Sequence, residues 1–126
     1  MHFIGKIDKR IYECVTKDMT TDEVIITDER IGHIDDHHPG EYENIAPFLK
    51  AAVTAPDYIL QDKPHTALVL KIVEENGKRI QLVLRIHTSS DKAGYKNSVI
   101  SAWRISKSRW ESYLRNKHIL YKRYKE

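Results

Sequence analysis

The 126-residue sequence predicts an α+β fold, and three observations carry that prediction. Apolar residues follow the two-residue period of strands near the N-terminus and again through residues 58–105, whereas 28–38, 47–55 and 106–117 follow helical spacing. The order that results is strands, two helices, an antiparallel strand set and a last helix, unlike the regular alternation of a doubly wound sheet. Pro39-Gly40 and Pro56 punctuate the chain where helices end, and Asn76-Gly77 marks a turn within the strand set.

Taken in order, residues 3–7 and 11–15 are expected as two short strands around Asp8-Lys9-Arg10, and 23–26 as a further short apolar run. Thr27 suits a helix N-cap, with Asp28 and Glu29 in the first turn where the helix dipole favours acids. The helix runs to His38 and stops at Pro39-Gly40. A second helix starts near Pro47, a favoured first position, and ends before Pro56, with Leu49, Ala52 and Val53 as its apolar stripe. Tyr58, Ile59 and Leu60 form a strand, and 66–74 pairs with 78–87 as a hairpin. A two-residue Asn76-Gly77 loop places Leu68 opposite Arg85. A three-residue loop with Gly77 left-handed places Leu68, Leu70 and Ile72 opposite Leu84, Leu82 and Ile80. The second register is preferred because it separates an apolar face from one bearing Lys71, Gln81, Arg85 and His87. A polar loop over 88–97 leads to a strand over 98–105, in which Trp103 is expected in the core. Ser106 caps a helix carrying Trp110, Tyr113 and Leu114, and Ile119, Leu120 and Tyr121 make a final strand before a basic tail.

Length and composition bound the rest. A chain of this size makes one domain, here residues 1–126, and 40% hydrophobic with 31% charged residues is ordinary globular composition. No apolar run approaches the roughly 20 residues that span a bilayer. The N-terminus lacks the apolar stretch of a signal peptide, and Cys14 is alone, so the cytoplasm is the expected location and no disulfide framework or multi-cysteine zinc site is expected. Charge is segregated. Residues 1–65 hold 7 Lys/Arg against 13 Asp/Glu, and residues 66–126 hold 14 against 5. A basic C-terminal half, with Arg123 and Lys125 in its tail, suits an anionic partner, nucleic acid first.

The densest chemical constellation is Gly32-His33-Ile34-Asp35-Asp36-His37-His38-Pro39. Histidine exchanges protons near neutral pH, and RNA transesterification needs a base for the 2′-hydroxyl and an acid for the 5′-oxygen. His33 and His37 share a helix face at the i, i+4 spacing that also holds zinc, but Ile34 stands where a zinc protease needs Glu, and neither metal nor cofactor is expected. Lys71 and Arg85, read as sharing a face, would steady a phosphate with extra negative charge. Lys96, Asn97, Ser98 and Ser101 offer an ammonium, an amide and hydroxyls to phosphate oxygens. No Gly-x-Ser-x-Gly elbow and no Gly-rich phosphate loop is present.

The segments Ile25-Ile-Thr-Asp-Glu-Arg-Ile-Gly-His-Ile, His38-Pro39, Pro56-Asp-Tyr-Ile, Leu82-Val-Leu-Arg-Ile, Tyr95-Lys-Asn-Ser-Val-Ile-Ser-Ala-Trp and Leu114-Arg-Asn-Lys resemble a phage-associated nuclease family. That family belongs to the barnase–EndoU–colicin–RelE (BECR) superfamily. The resemblance covers nearly the whole chain and implies N-terminal helices packed on a four-stranded or slightly larger antiparallel sheet, with a C-terminal helix. It implies a metal-independent endoribonuclease of phage, mobile-element or toxin origin, acting in a host cytoplasm, with RNA as substrate. Carried over residue by residue, it points to His33, His38, Arg85 and Ser98 as catalytic, and the residue chemistry adds His37, Lys71, Lys96, Asn97 and Ser101 as expected substrate contacts. His37 stands where relatives carry a basic residue before the His-Pro pair. The expected product is a 2′,3′-cyclic phosphate. The alternatives are a non-catalytic nucleic-acid- or protein-binding module of a phage or mobile element on the same fold, or a toxin domain controlled by a cognate inhibitor or immunity protein.

Overall fold

The computed structural model describes residues 1–124, so Lys125 of the basic tail lies outside the described residues. In chain order the elements are β1 (His2–Lys6), α1 (Lys9–Tyr12), β2 (Glu23–Ile26), α2 (Asp28–His37), α3 (Glu41–Ile45), a 3-10 turn over Ala46–Phe48 and α4 (Leu49–Thr54). Then follow β3 (Tyr58–Gln61), β4 (Thr66–Ile72), β5 (Arg79–Arg85), β6 (Asn97–Ile105), α5 (Lys107–Asn116) and β7 (Ile119–Lys122). One sheet holds all seven strands in the order β1-β2-β6-β5-β4-β3-β7. Every neighbouring pair is antiparallel except β2 with β6. The α+β class, the early helices and the C-terminal helix are as the sequence predicts. The sheet is larger than four strands and contains one parallel pair.

Local chemistry explains where helices begin. Thr27 Oγ1 accepts the Arg30 N–H at 3.2 Å and Ser106 Oγ accepts the Arg109 N–H at 3.0 Å, so both expected N-caps form. The expected strand over 11–15 is replaced by α1 and a turn. Asp8 caps that helix by accepting the Arg10 N–H at 2.9 Å, and Tyr12 turns inward to donate its hydroxyl to the Val53 carbonyl at 2.7 Å. Burial pushes the Tyr12 hydroxyl's pKa up, which keeps it a donor. The single helix expected from Pro47 is instead α3, the 3-10 turn containing Pro47, and α4.

Both sheet faces are covered, and this fixes the hairpin differently from the sequence expectation. On one face Ala67, Val69, Ile80, Leu82 and Leu84 join Ile34, Ile45, Leu49 and Val53 from the helices in the main core. On the other, Leu60, Leu68 and Leu70 pack against Trp110 of α5. Six of the seven β4 residues are therefore buried, and polarity no longer marks the faces. The turn spans four residues. Val73 donates to the Lys78 carbonyl at 2.8 Å, and Gly77, left-handed at φ 67°, donates to the Val73 carbonyl at 2.7 Å. Leu68 consequently faces Val83, Leu70 faces Gln81 and Lys71 faces Ile80, one residue away from the preferred register. Lys71 thus turns to the main-core face, opposite the face of Arg85.

β2 pairs with β6 only through Val24↔Asn97 and Ile25↔Ser98. Beyond that point α2 and α3 pack against β6. Buried Glu41 of α3 accepts the Arg104 backbone N–H and its Nε–H, both at 2.9 Å, so a side chain satisfies a group that a strand would otherwise pair. No helix among the described residues is long and apolar enough to cross a membrane.

Candidate active site

Arg85, at the end of β5, stands directly opposite Ser98 on β6, and Ser98 in turn neighbours Ile25 on β2. This row projects from the α5 face of the sheet, at the end where a cleft of about 520 Å³ opens. Arg85, His87, Asp91, Tyr95, Lys96 and Ser98 all line it, with Thr27 at the start of α2. The volume lies within the range of small-ligand sites.

The loop from Thr88 to Lys96 folds over this row and is tied to it. The Arg85 guanidinium donates to Asp91 Oδ1 at 2.8 Å and to the Ile86 carbonyl. Asp91 Oδ2 also accepts the Thr88 N–H at 2.8 Å. That N–H holds the Asp91 carboxyl below the ordinary 3.8. Partial desolvation opposes the lowering, and the Arg85 charge adds to it. Gly94 takes the left-handed φ of 89° that lets the loop reverse, and Lys92 lies 5.7 Å from the ring centre of Tyr95, which is 60% exposed.

His87 continues beyond β5 and is only 7% exposed. Its Nδ1 bonds the Thr20 hydroxyl, and its Nε2 lies 2.7 Å from the Lys92 carbonyl. A carbonyl accepts only, so the neutral ring carries its proton on Nε2 and receives the Thr20 hydroxyl at Nδ1. Lys96 pairs with Glu23 at 2.6 Å, and this ammonium holds the Glu23 carboxyl below its usual range. Asp91, which lines the cleft, and Glu23, which holds the lining Lys96, are thus each engaged by a cation. No group of three or more His, Cys, Asp or Glu side chains among the described residues is placed to hold a metal.

A family model described as phage-Barnase-EndoU-ColicinE5/D-RelE like nuclease2, PBECR2, matches residues 2–122. The chain belongs to that family. No match is found among curated proteins or among solved structures.

The sequence-predicted site residues of this PBECR2 chain divide into three places. Arg85, Lys96 and Ser98 meet in the cleft. Ser101 sits on the same face one step further along β6, opposite Val83. The helix histidines do not join them. α2 starts at Thr27 beside the cleft and carries its histidines away, so at 1.5 Å per residue His33 lies roughly 9 Å and His38 roughly 16 Å along the axis. His33 and His37 are exposed with ring centres 4.6 Å apart, and His37 Nδ1 donates to the His33 carbonyl at 3.1 Å. His38 stacks on Trp103, with centres 4.8 Å apart, and Trp103 is partly exposed, not core.

Two expected substrate contacts are structural. Lys71 is 5% exposed, donates to the Ala55 carbonyl at 2.7 Å and lies 3.9 Å from Asp57, so it shares no face with Arg85. Asn97 is fully buried. Its Oδ1 accepts the His87 N–H and its Nδ2 donates to the Thr21 carbonyl, both at 2.8 Å. Arg123 of the tail lies 3.8 Å from Asp57, part of the same network as Lys71. The residue that sequence reasoning passed over for chemistry is His87. Its signal is its place two residues beyond Arg85 in the run expected as one strand over 78–87, which sets both on one face.

Proposed function

We propose that this PBECR2 nuclease is a metal-independent endoribonuclease whose phosphate site is the Arg85 cleft. The observation that carries the reading is the convergence of Arg85, His87, Lys96 and Ser98 on one cavity. Asp91 and Glu23 are already held by Arg85 and Lys96, which leaves the cleft rich in donors and without a free carboxylate pair for a divalent ion. RNA suits such a site because its own 2′-hydroxyl is the nucleophile. The 2′-oxygen loses its proton as it bonds phosphorus, and the P–O5′ bond breaks. The 5′-oxygen takes up a proton, and a 2′,3′-cyclic phosphate results. In this scheme Arg85 carries the charge that builds on the phosphate, while the Ser98 hydroxyl and Lys96 hold its non-bridging oxygens. Proton transfer passes from the helix histidines of the sequence expectation to His87. Once the Lys92 carbonyl releases Nε2–H, that proton goes to the 5′-oxygen while the 2′-hydroxyl proton leaves to water, and the ring regains a proton from water afterwards.

One observation favours a second reading, a nucleic-acid-binding module without catalysis. Both His87 nitrogens and the Arg85 guanidinium have internal partners, as structural residues do. A single assay separates the two: incubation of the protein with RNA in EDTA, followed by mapping of new ends. The nuclease reading expects new 2′,3′-cyclic phosphate ends, lost in Arg85→Ala and His87→Gln. Binding without new ends supports the module. Cleavage that persists in His87→Gln but not in His38→Ala would return the proton role to α2.

A further inference from the structure

At the far end of β6 from the cleft, a recess of about 360 Å³ opens between the end of α2 and the start of α5. We propose that it is a second subsite that stacks an unpaired base of single-stranded RNA and holds the adjoining phosphate. The proposal rests on reading the Arg85 cleft as an RNA site.

The stack is half built. His38 lies on Trp103 at an interplanar angle of 29°, and its exposed ring leaves an outer face for a further ring. Bases stack on such platforms whatever their identity, because each has a π-face. Cations flank the stack. Exposed Arg109 stands in the first turn of α5, and that turn contains no acidic residue. Arg104 also lines the recess, although Glu41 takes its Nε at 2.9 Å, so Arg109 is the stronger candidate for a phosphate. The N–H groups opening α5 add partial positive charge on the same side.

The sheet joins this recess to the cleft. Strict alternation would set Ser98 on the face opposite Ser101 and Trp103. The register shift in β6 places Val99 opposite Leu84 but Ser101 opposite Val83, leaving Ile100 as an extra residue. Ser98, Ser101 and Trp103 therefore face Arg85, Val83 and Gln81 on one side of the sheet. Five residues of strand separate Ser98 from Trp103 by roughly 15 Å, so an RNA with a phosphate at Arg85 would reach His38 and Trp103 a few nucleotides away.

Uncleavable 2′-O-methyl oligoribonucleotides test this, because they report binding whether or not the protein cleaves. Trp103 and buried Trp110 are the two tryptophans, so binding at the recess is read in Trp103 emission. A hexanucleotide is expected to quench the emission, and Trp103→Phe to abolish the quench. His38→Ala and Arg109→Glu, both at exposed positions, are each expected to lower the ratio of hexanucleotide to dinucleotide affinity about 5- to 100-fold. Quenching that survives in Trp103→Phe, or a ratio unchanged in both other variants, overturns the subsite. So does an absence of quenching, including the case where a protein partner occupies the recess instead. Quenching with the expected ratios but no RNA cleavage would overturn the nuclease reading and leave the subsite standing.

Discussion

Asp91 holds Arg85 at 2.8 Å while accepting the Thr88 N–H, so one carboxylate anchors both the proposed phosphate-binding guanidinium and the loop above it. A phosphate entering the cleft competes with Asp91 for Arg85. Asp91→Asn keeps the shape and removes the competing charge. It is expected to tighten binding of uncleavable RNA and to steepen the fall of log affinity with log salt, by up to about 0.7 for one further phosphate contact. Weaker binding at every salt concentration would mean that the loop tie matters more than the competition.

The same carboxylate sets a pH dependence. Its pKa in the fold is depressed below 3.8, so its contribution to stability is fully present above that value and is lost as pH falls through the folded value. Asp91→Asn should flatten the dependence of stability on pH only below about 3.8. Urea melts of both proteins across acid pH would show this. A difference that grows between pH 5 and 8 would point to another group.

Arg85→Ala should slow cleavage about 10²–10³-fold, the usual cost of removing one preorganised donor to developing charge. Arg85→Lys keeps the charge but loses the planar fork, and should recover only part of the rate. An Arg85→Lys variant with full activity would mean that point charge is sufficient.

Lys71 makes the opposite prediction. Lys71→Ala leaves the Ala55 carbonyl unpaired and reduces the cations near half-buried Asp57 to Arg123. A loss of about 1–3 kcal/mol is expected from the unsatisfied group, read as a lower urea midpoint, with cleavage per folded molecule unchanged. A rate loss without a stability loss would restore Lys71 to the phosphate site.

What the sequence shows depends on how local the cause is. The caps at Thr27 and Ser106, the left-handed Gly77 and the α+β order are local, and each is found. The hairpin register is not local. One clean apolar face predicts a different register, but α5 buries Leu68 and Leu70 on the second face while the helices bury Val69 and Leu82 on the first. The parallel β2–β6 pair and the extra residue at Ile100 likewise depend on partners far along the chain. The site follows the same rule. Arg85, Lys96 and Ser98 are legible as donors, and they converge. His33, His37 and His38 drew attention by density in sequence, yet α2 leads them away from the cleft. His87 is isolated in sequence and enters the cleft because β5 delivers it there.

Asn97 tests the geometry most directly, because sequence and structure assign it different work. As an exposed amide it would bind RNA. In the fold it is buried between the His87 N–H and the Thr21 carbonyl, bonding each at 2.8 Å. Asn97→Ala removes both bonds and leaves two buried backbone groups unpaired, at about 1–3 kcal/mol each before relaxation. Urea midpoints should therefore fall markedly. Activity should fall as well, but in kcat more than in KM, since His87 loses its backbone anchor while Arg85 and Lys96 still hold phosphate. Asn97→Asp keeps the acceptor for His87 but can donate to Thr21 only when its carboxyl is protonated, so it should recover part of the rate only at acid pH. An Asn97→Ala protein with a normal urea midpoint and weakened RNA affinity would overturn this assignment and put the amide in contact with substrate.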